Sequence, residues 1–212
     1  MDRAKVRGPY AKTAARRADI IRAARDSFAE HGHAGASLRD IAKRAGISHA
    51  AVLHHFENKD ELLTAVLAKR DQEEWELAYS SPGGRGEGAD SGPRSPVRYL
   101  AEILREHQKS PELMRLWTEL AASASRPDHP AHAYFVDRHD RVREYTARAM
   151  RERADRGELR EGMDPESAAA LLQAVLHGLQ TQWLLNQDLD IIEPLNRFFD
   201  LILPPDEGES AG

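Results

Sequence analysis

Residues 37–56 read SLRDIAKRAGISHAAVLHHF, and this stretch decides the fold. Apolar or small residues recur at helical spacing on both sides of a central glycine. They are Leu38, Ile41, Ala42 and Ala45 before it, and Val52 and Phe56 after it. Gly46 falls where the chain must reverse, because glycine can take the left-handed conformation that ends a helix. Ser48 follows as the predicted N-cap of the second helix. The pattern predicts a helix-turn-helix, which can place its second helix in the major groove of DNA.

The charge of the chain is divided between a basic front and an acidic back. The 212 residues carry a formal net charge of −5. Residues 1–60 hold 12 Lys and Arg against 7 Asp and Glu, whereas the remaining residues hold 18 against 28. A net of +5 at the front and −10 at the back is typical of a protein that docks one end on a polyanion.

Composition excludes several other classes of protein. The chain has no cysteine, so disulfides, zinc–thiolate sites and cysteine nucleophiles are excluded. The first residues, MDRAKVRGPYAKTAARR, are basic and lack the apolar core of a secretory signal. No apolar run approaches the ~18–20 residues that span a bilayer. We therefore expect a soluble, cytoplasmic protein with no membrane contact.

The rest of the chain reads as further helices, with no strand pattern and no internal repeat. We predict an all-α fold of about nine helices. Residues 1–12 are predicted to be a flexible basic arm, 13–58 the helix-turn-helix domain and 59–79 a connecting helix. The Gly-, Ser- and Pro-rich segment 80–96 is predicted to be a flexible loop. Residues 97–205 form a second helical domain, with helices expected at about 97–109, 111–125, 131–156, 165–186 and 190–203, and 206–212 a disordered tail.

The front of the chain resembles the tetracycline-repressor (TetR) family of bacterial transcription regulators. The matching positions are Phe28, Glu30 and Gly32, the helix-turn-helix residues above, and then His55, Phe56, Lys59 and Leu62. The string HGLQTQWLL around Gly178 resembles a segment of the family's C-terminal domains. The resemblance implies a DNA-binding unit followed by an effector-binding and dimerisation domain.

The resemblance and the residue chemistry together give a set of candidate DNA contacts. They are Lys12, Arg17, Ser37, Arg39, Ser48, His49, Ala50, Leu53, His54 and Lys59. Ala51 and Leu53 stand where the family commonly has a threonine and a tyrosine whose hydroxyls hold phosphates. A hydrogen bond to a charged group contributes roughly 1.5–3 kcal/mol, and neither Ala51 nor Leu53 can form one through its side chain. Phosphate binding is therefore expected to depend on the other candidates. Because His54 is one of them, we expect operator affinity to rise as the pH falls.

The resemblance also implies an effector pocket and a dimer interface in the second domain. The expected pocket lining is Tyr99, Ile103, Leu113, Met114, Trp117, Leu120, Phe135, Tyr145, Met150, His177 and Trp183. The helix at 165–186 is apolar on more than one face, which indicates burial on most sides. The expected dimer contacts are Leu172, Val175, Gly178, Leu179, Leu195, Phe198, Phe199 and Ile202.

These observations predict a regulator, most simply a repressor that binds a near-palindromic operator as a homodimer and is released by a small apolar or aromatic molecule. Helix 59–79 joins the two domains, so we expect it to connect binding of the small molecule to release of the operator. Two alternatives remain: an activator without small-molecule control, and a helical protein-interaction adaptor whose helix-turn-helix no longer binds DNA. No catalytic motif or metal-ligand spacing stands out, so we expect no enzyme activity, no cofactor and no metal.

Overall fold

The computed structural model describes residues 9–80 and 96–204. Within those ranges the chain is all-helical, with nine α-helices and no strand, which confirms the predicted fold class. The helices are α1 Pro9–Gly35, α2 Leu38–Arg44, α3 His49–His55, α4 Lys59–Ser80, α5 Pro96–Gln108, α6 Pro111–Ser123, α7 His132–Asp155, α8 Pro165–Leu185 and α9 Ile192–Ile202. The chain divides into two compact units that meet in sequence after Glu76, within α4.

The first unit is a small helical core in which α2 packs against both α1 and α3. Its fully buried side chains include Ile20, Phe28, Ile41, Val52, Phe56, Leu62 and Leu63. The first helix begins at Pro9, so residues 9–12 are helical and do not belong to the predicted flexible arm. Gly32 interrupts it with φ 67° and ψ 169°, and a further turn follows to Gly35.

The second unit is organised around α8, which packs against α6, α7 and α9, while α5 packs against α6 and α9. The α8 helix starts at the predicted residue, Pro165, which occupies its first turn. Asp164 is the N-cap, with Oδ2 accepting the Ser167 amide at 2.9 Å. The core includes Leu104, Met150, Leu172, Leu195 and Phe199. The other helices of this unit begin and end within a few residues of the predicted positions.

The predicted loop at 80–96 and tail at 206–212 fall mostly or wholly outside the described residues. None of the helices in the described ranges combines the length and the apolar character that are needed to cross a membrane.

Candidate nucleic-acid interface

The turn between α2 and α3 has the geometry that the sequence predicts. Gly46 adopts φ 66°, in the left-handed region, and the amide of Ile47 donates to the carbonyl of Ala42 at 3.0 Å. Ser48 caps α3, since its Oγ accepts the amide of Ala51 at 3.1 Å. A helix of seven residues is too short to be stable alone. The cap and the buried Val52 therefore hold α3 in place.

The outer face of α3 carries four exposed residues: His49, Ala50, Leu53 and His54. Leu53 is 42 % exposed, whereas Val52 on the opposite face is fully buried. Imidazoles can exchange hydrogen bonds with base edges, and Ala and Leu can contact a thymine methyl group. The structure therefore gathers these four predicted contacts on one solvent-facing surface.

The predicted contacts outside α3 fall into two groups. Lys12 and Arg39 are exposed, and Arg17 is exposed with its guanidinium carbon 4.6 Å from the centre of the Phe56 ring. Ser37 is already engaged, because it caps α2 by accepting the amide of Asp40 at 3.2 Å and donates its hydroxyl to the Asp40 carboxylate at 2.5 Å. A phosphate at Ser37 would have to replace that carboxylate.

Lys59 is not available as the phosphate contact that we predicted. Its Nζ donates to three backbone carbonyls, those of His33 at 2.7 Å, Ala36 at 3.1 Å and Ala34 at 3.3 Å. An ammonium group has three N–H donors, so all of them are used within the fold. The lysine therefore caps the carboxyl end of α1, where cations interact favourably with the helix dipole.

An ion pair joins α1 to α2 beside this interface. The two terminal nitrogens of the Arg44 guanidinium, Nη1 and Nη2, donate to the Glu30 carboxylate, at 2.7 and 2.5 Å. These hydrogen bonds lower the pKa of Glu30 from its usual value and raise that of Arg44. Bidentate pairing fixes orientation as well as distance, so it sets the position of α2 against α1.

In the second unit, the predicted pocket residues separate into distinct environments. Met114, Met150 and Trp183 belong to one continuous core with Leu195 and Phe199. Trp117 and Phe135 instead form an aromatic group with Tyr134, with ring centres 5.1–6.3 Å apart, and Leu120 is buried as well. Ile103 and Leu113 are partly buried.

Two members of this group were not predicted from the sequence, and two of the predicted pocket residues lie elsewhere. Arg138 lies with its guanidinium carbon 4.7 Å from the centre of a Trp117 ring, and Tyr134 lies one turn before it on α7. Their spacing of four residues was the available signal. Tyr145 and His177 are exposed, so they do not line an interior pocket as predicted. The side chain of Tyr99 lies outside the described residues.

Most of the predicted dimer contacts are buried within a single protomer. Leu172, Leu179, Leu195, Phe199 and Ile202 belong to the core of the second unit, so they have no surface to offer a partner. This corrects the prediction. Val175, Gly178 and Phe198 keep partial exposure.

The opposite face of α8 carries no charge and is exposed except at Gly178, which is half-buried. Its residues are Ser167, Leu171, Ala174, Gly178, Thr181, Gln182 and Leu185, which we term the α8 strip. Leu171 is 48 % and Leu185 84 % exposed, and on α9 Leu201 is 64 % exposed. Among the described residues, no atom beyond the local helix lies within 4 Å of a Cβ placed on Gly178, so packing within that part of the protomer does not require a glycine there.

In the described ranges, no three His, Asp or Glu side chains come close enough to hold a metal ion. The first unit instead has a buried helical core and presents one short, capped, exposed helix, α3, beside basic side chains. That arrangement defines a helix-turn-helix DNA-binding protein.

Comparison with known proteins supports this class along most of the chain. Residues 20–66 match the model of bacterial regulatory proteins of the tetR family, and residues 97–207 match the C-terminal model of BetI-type transcriptional repressors. The chain therefore belongs to the TetR family of bacterial transcriptional regulators. It is a DNA-binding transcriptional regulator rather than an enzyme.

Individual relatives and structures agree with the family assignment. The transcriptional repressor AcnR of Corynebacterium efficiens is 28 % identical over 84 % of this chain and 90 % of its own length. SmeT, the repressor of the Stenotrophomonas maltophilia efflux pump SmeDEF, matches with a TM-score of 0.68 and 25 % identity over 91 % of each chain, and it has also been solved with triclosan. FadR of Bacillus subtilis, solved with stearoyl-CoA, shares the fold with a TM-score of 0.67 and 20 % identity, over 87 % of this chain and 96 % of FadR.

Proposed function

We propose that this protein represses transcription as a homodimer on a near-palindromic operator and that a small apolar or aromatic molecule in the second unit releases it. The observation that carries the proposal is the exposed outer face of α3, where His49, Ala50, Leu53 and His54 point away from the core. These side chains can form both polar and apolar base contacts. Lys12, Arg17 and Arg39 supply exposed positive charge for phosphates.

The α8 strip supports the homodimer. Charged residues make up 31 % of the chain, yet the seven positions of this strip have none. Small residues at Ala174 and Gly178 allow another helix to approach closely, and Leu171 and Leu185 offer apolar area on either side. A second copy of the same strip is a self-complementary partner, as a twofold interface requires.

The dimer also explains why the operator should be near-palindromic. Two α3 helices related by a twofold axis read the same sequence on opposite strands, about one helical turn of DNA apart. We therefore expect the operator to contain two inverted half-sites.

The aromatic group at Trp117, Tyr134 and Phe135 supports an apolar or aromatic effector. Aromatic rings provide contact area together with preferred stacking geometries. SmeT and FadR, which share this fold, have been solved with triclosan and with stearoyl-CoA. A ligand releases the operator only by binding more tightly to the conformation that binds DNA weakly.

The decisive experiment is a mobility-shift titration of a labelled fragment from upstream of the protein's own gene, over a range of salt concentrations. We expect a shift whose affinity falls steeply with salt, because phosphate contacts release counterions. Leu53→Asp, at an exposed position, should abolish the shift without changing the thermal unfolding midpoint. A missing shift on every upstream fragment would favour the adaptor alternative, and a reporter that loses expression when the gene is deleted would favour the activator.

A further inference from the structure

The start of α4 is attached to the segment that leads into the helix-turn-helix. We term residues 32–37, which are the last turn of α1 from Gly32 onward and the two residues that lead into α2, the α1–α2 junction. The Lys59 ammonium donates to three carbonyls of this junction, those of His33, Ala34 and Ala36, at 2.7–3.3 Å. The lysine joins positions 23 to 26 residues apart in the chain.

The residue after Lys59 holds the same junction by a second contact. Nε2 of His33 lies 3.1 Å from Oδ1 of Asp60, and the His33 side chain is 17 % exposed. The His33 ring also packs against the buried Phe28, with centres 5.5 Å apart. Two successive residues of α4 therefore lie against one short segment, Lys59 through three hydrogen bonds and Asp60 through its carboxylate beside the His33 ring.

The same end of α4 is anchored in the core. Leu62 and Leu63 are fully buried. Phe56, which follows α3 directly and precedes Lys59 by three residues, is buried as well. The first turn of α4 therefore cannot move without disturbing the junction that precedes α2 or the residues that follow α3.

We propose that Lys59 is a positioning residue for DNA reading: it couples the first turn of α4 to the α1–α2 junction and so sets the orientation of the helix-turn-helix. It does this through the fold and not by binding a phosphate. The proposal rests on the operator binding proposed above, and it identifies a residue through which a displacement of α4 would reach the DNA-reading helices.

The chemistry of the side chain makes the two roles separable. Three carbonyls converge on a single nitrogen, which suits the compact ammonium of lysine and not the planar guanidinium of arginine. A phosphate, in contrast, accepts arginine at least as well as lysine. Arginine therefore cannot replace a lysine that acts by positioning, but it can replace a lysine that binds a phosphate.

The test compares the salt dependence of operator binding among variants of the full chain. We expect Lys59→Met and Lys59→Arg each to raise the dissociation constant by at least about tenfold, the equivalent of one lost hydrogen bond to a charged group. The slope of log affinity against log salt should stay at its wild-type value. Asp60→Asn should also weaken binding, although it removes a negative charge and would strengthen binding if only long-range attraction mattered. Lys12→Met is the comparison for a phosphate contact: Lys12 is exposed and proposed to meet a phosphate, so its loss should make the slope shallower by about 1.8 in the dimer.

Two results would overturn the proposal. One is a Lys59→Met slope shallower by about 1.8, which is about 0.9 for one phosphate contact in each of two protomers, together with wild-type affinity in Lys59→Arg. The other is wild-type affinity in Lys59→Met. If the wild-type protein binds no upstream fragment, operator binding itself fails. The coupling is then judged by amide exchange, which should be faster at residues 33–37 in Lys59→Met than in wild type; unchanged exchange would refute it.

Discussion

Leu185→Ala provides a quantitative test of the proposed dimer. Leu185 is 84 % exposed in the protomer, so most of its apolar surface is still available for burial by a partner. Full burial of a leucine contributes about 2 kcal/mol, and a twofold interface uses every position twice. Allowing for the Cβ that alanine retains, the substitution should cost the dimer about 3 kcal/mol. At about 1.4 kcal/mol for each factor of ten, the dimer dissociation constant should rise about 100-fold.

Sedimentation across a concentration series measures this constant directly. Leu53→Ala is the matched control, because it truncates another exposed leucine, on α3, and should leave the dimer intact while weakening DNA binding. The thermal unfolding midpoint should hardly change in Leu53→Ala, whereas in Leu185→Ala it should fall at concentrations where the wild type is dimeric, because dimerisation stabilises the folded chain. A wild-type protein that stays monomeric at micromolar concentration, or a Leu185→Ala dimer of unchanged strength, would refute the assignment of the α8 strip.

Three further predictions concern the first unit. His54→Ala should weaken operator binding, because it removes one of the four exposed side chains on the outer face of α3; unchanged affinity in titrations of labelled DNA would exclude this role. Ser48→Ala should lower the free energy of unfolding by about 1 kcal/mol in urea titrations, because it removes the cap of α3; no loss would mean that the cap is dispensable. The hydrogen bonds from the Arg44 guanidinium lower the pKa of Glu30 in the folded protein. The pair therefore stabilises the fold fully above the pKa that Glu30 has in the unfolded chain. This stability is lost as the pH falls through the lower pKa of Glu30 in the folded protein. Glu30→Gln should therefore reduce the acid sensitivity of stability below about pH 5, and an identical pH–stability curve would contradict that coupling.

The features that the sequence predicted well depend on local chemistry. Gly46 at the turn, Ser48 as a cap and Asp164–Pro165 at the start of α8 each act within a few residues of their own position. Their roles follow from backbone conformations and short-range hydrogen bonds, which a single sequence displays. The same holds for the helical spacing that placed Val52 in the core.

The features that were missed depend on distant parts of the chain. The acceptors of Lys59 lie 23 to 26 residues earlier, so no local pattern marks them. On α8, the neighbours Leu171 and Leu172 look alike in sequence, yet the first is half exposed and the second is buried. Which of them faces the core depends on where α6, α7 and α9 pack, and that is set by tertiary structure.

The stacking of Arg17 on Phe56 has a consequence for the entropy of DNA binding. A long arginine side chain on an open surface samples many rotamers, and a phosphate contact would ordinarily have to freeze them. Here the ring of Phe56 already restricts the guanidinium, 4.6 Å from its centre, and stacking leaves the N–H groups at its edge able to donate. Much of the entropy lost in ordering the Arg17 side chain is therefore lost on folding and not on DNA binding. A lysine at this position would keep the charge and lose that preorganisation.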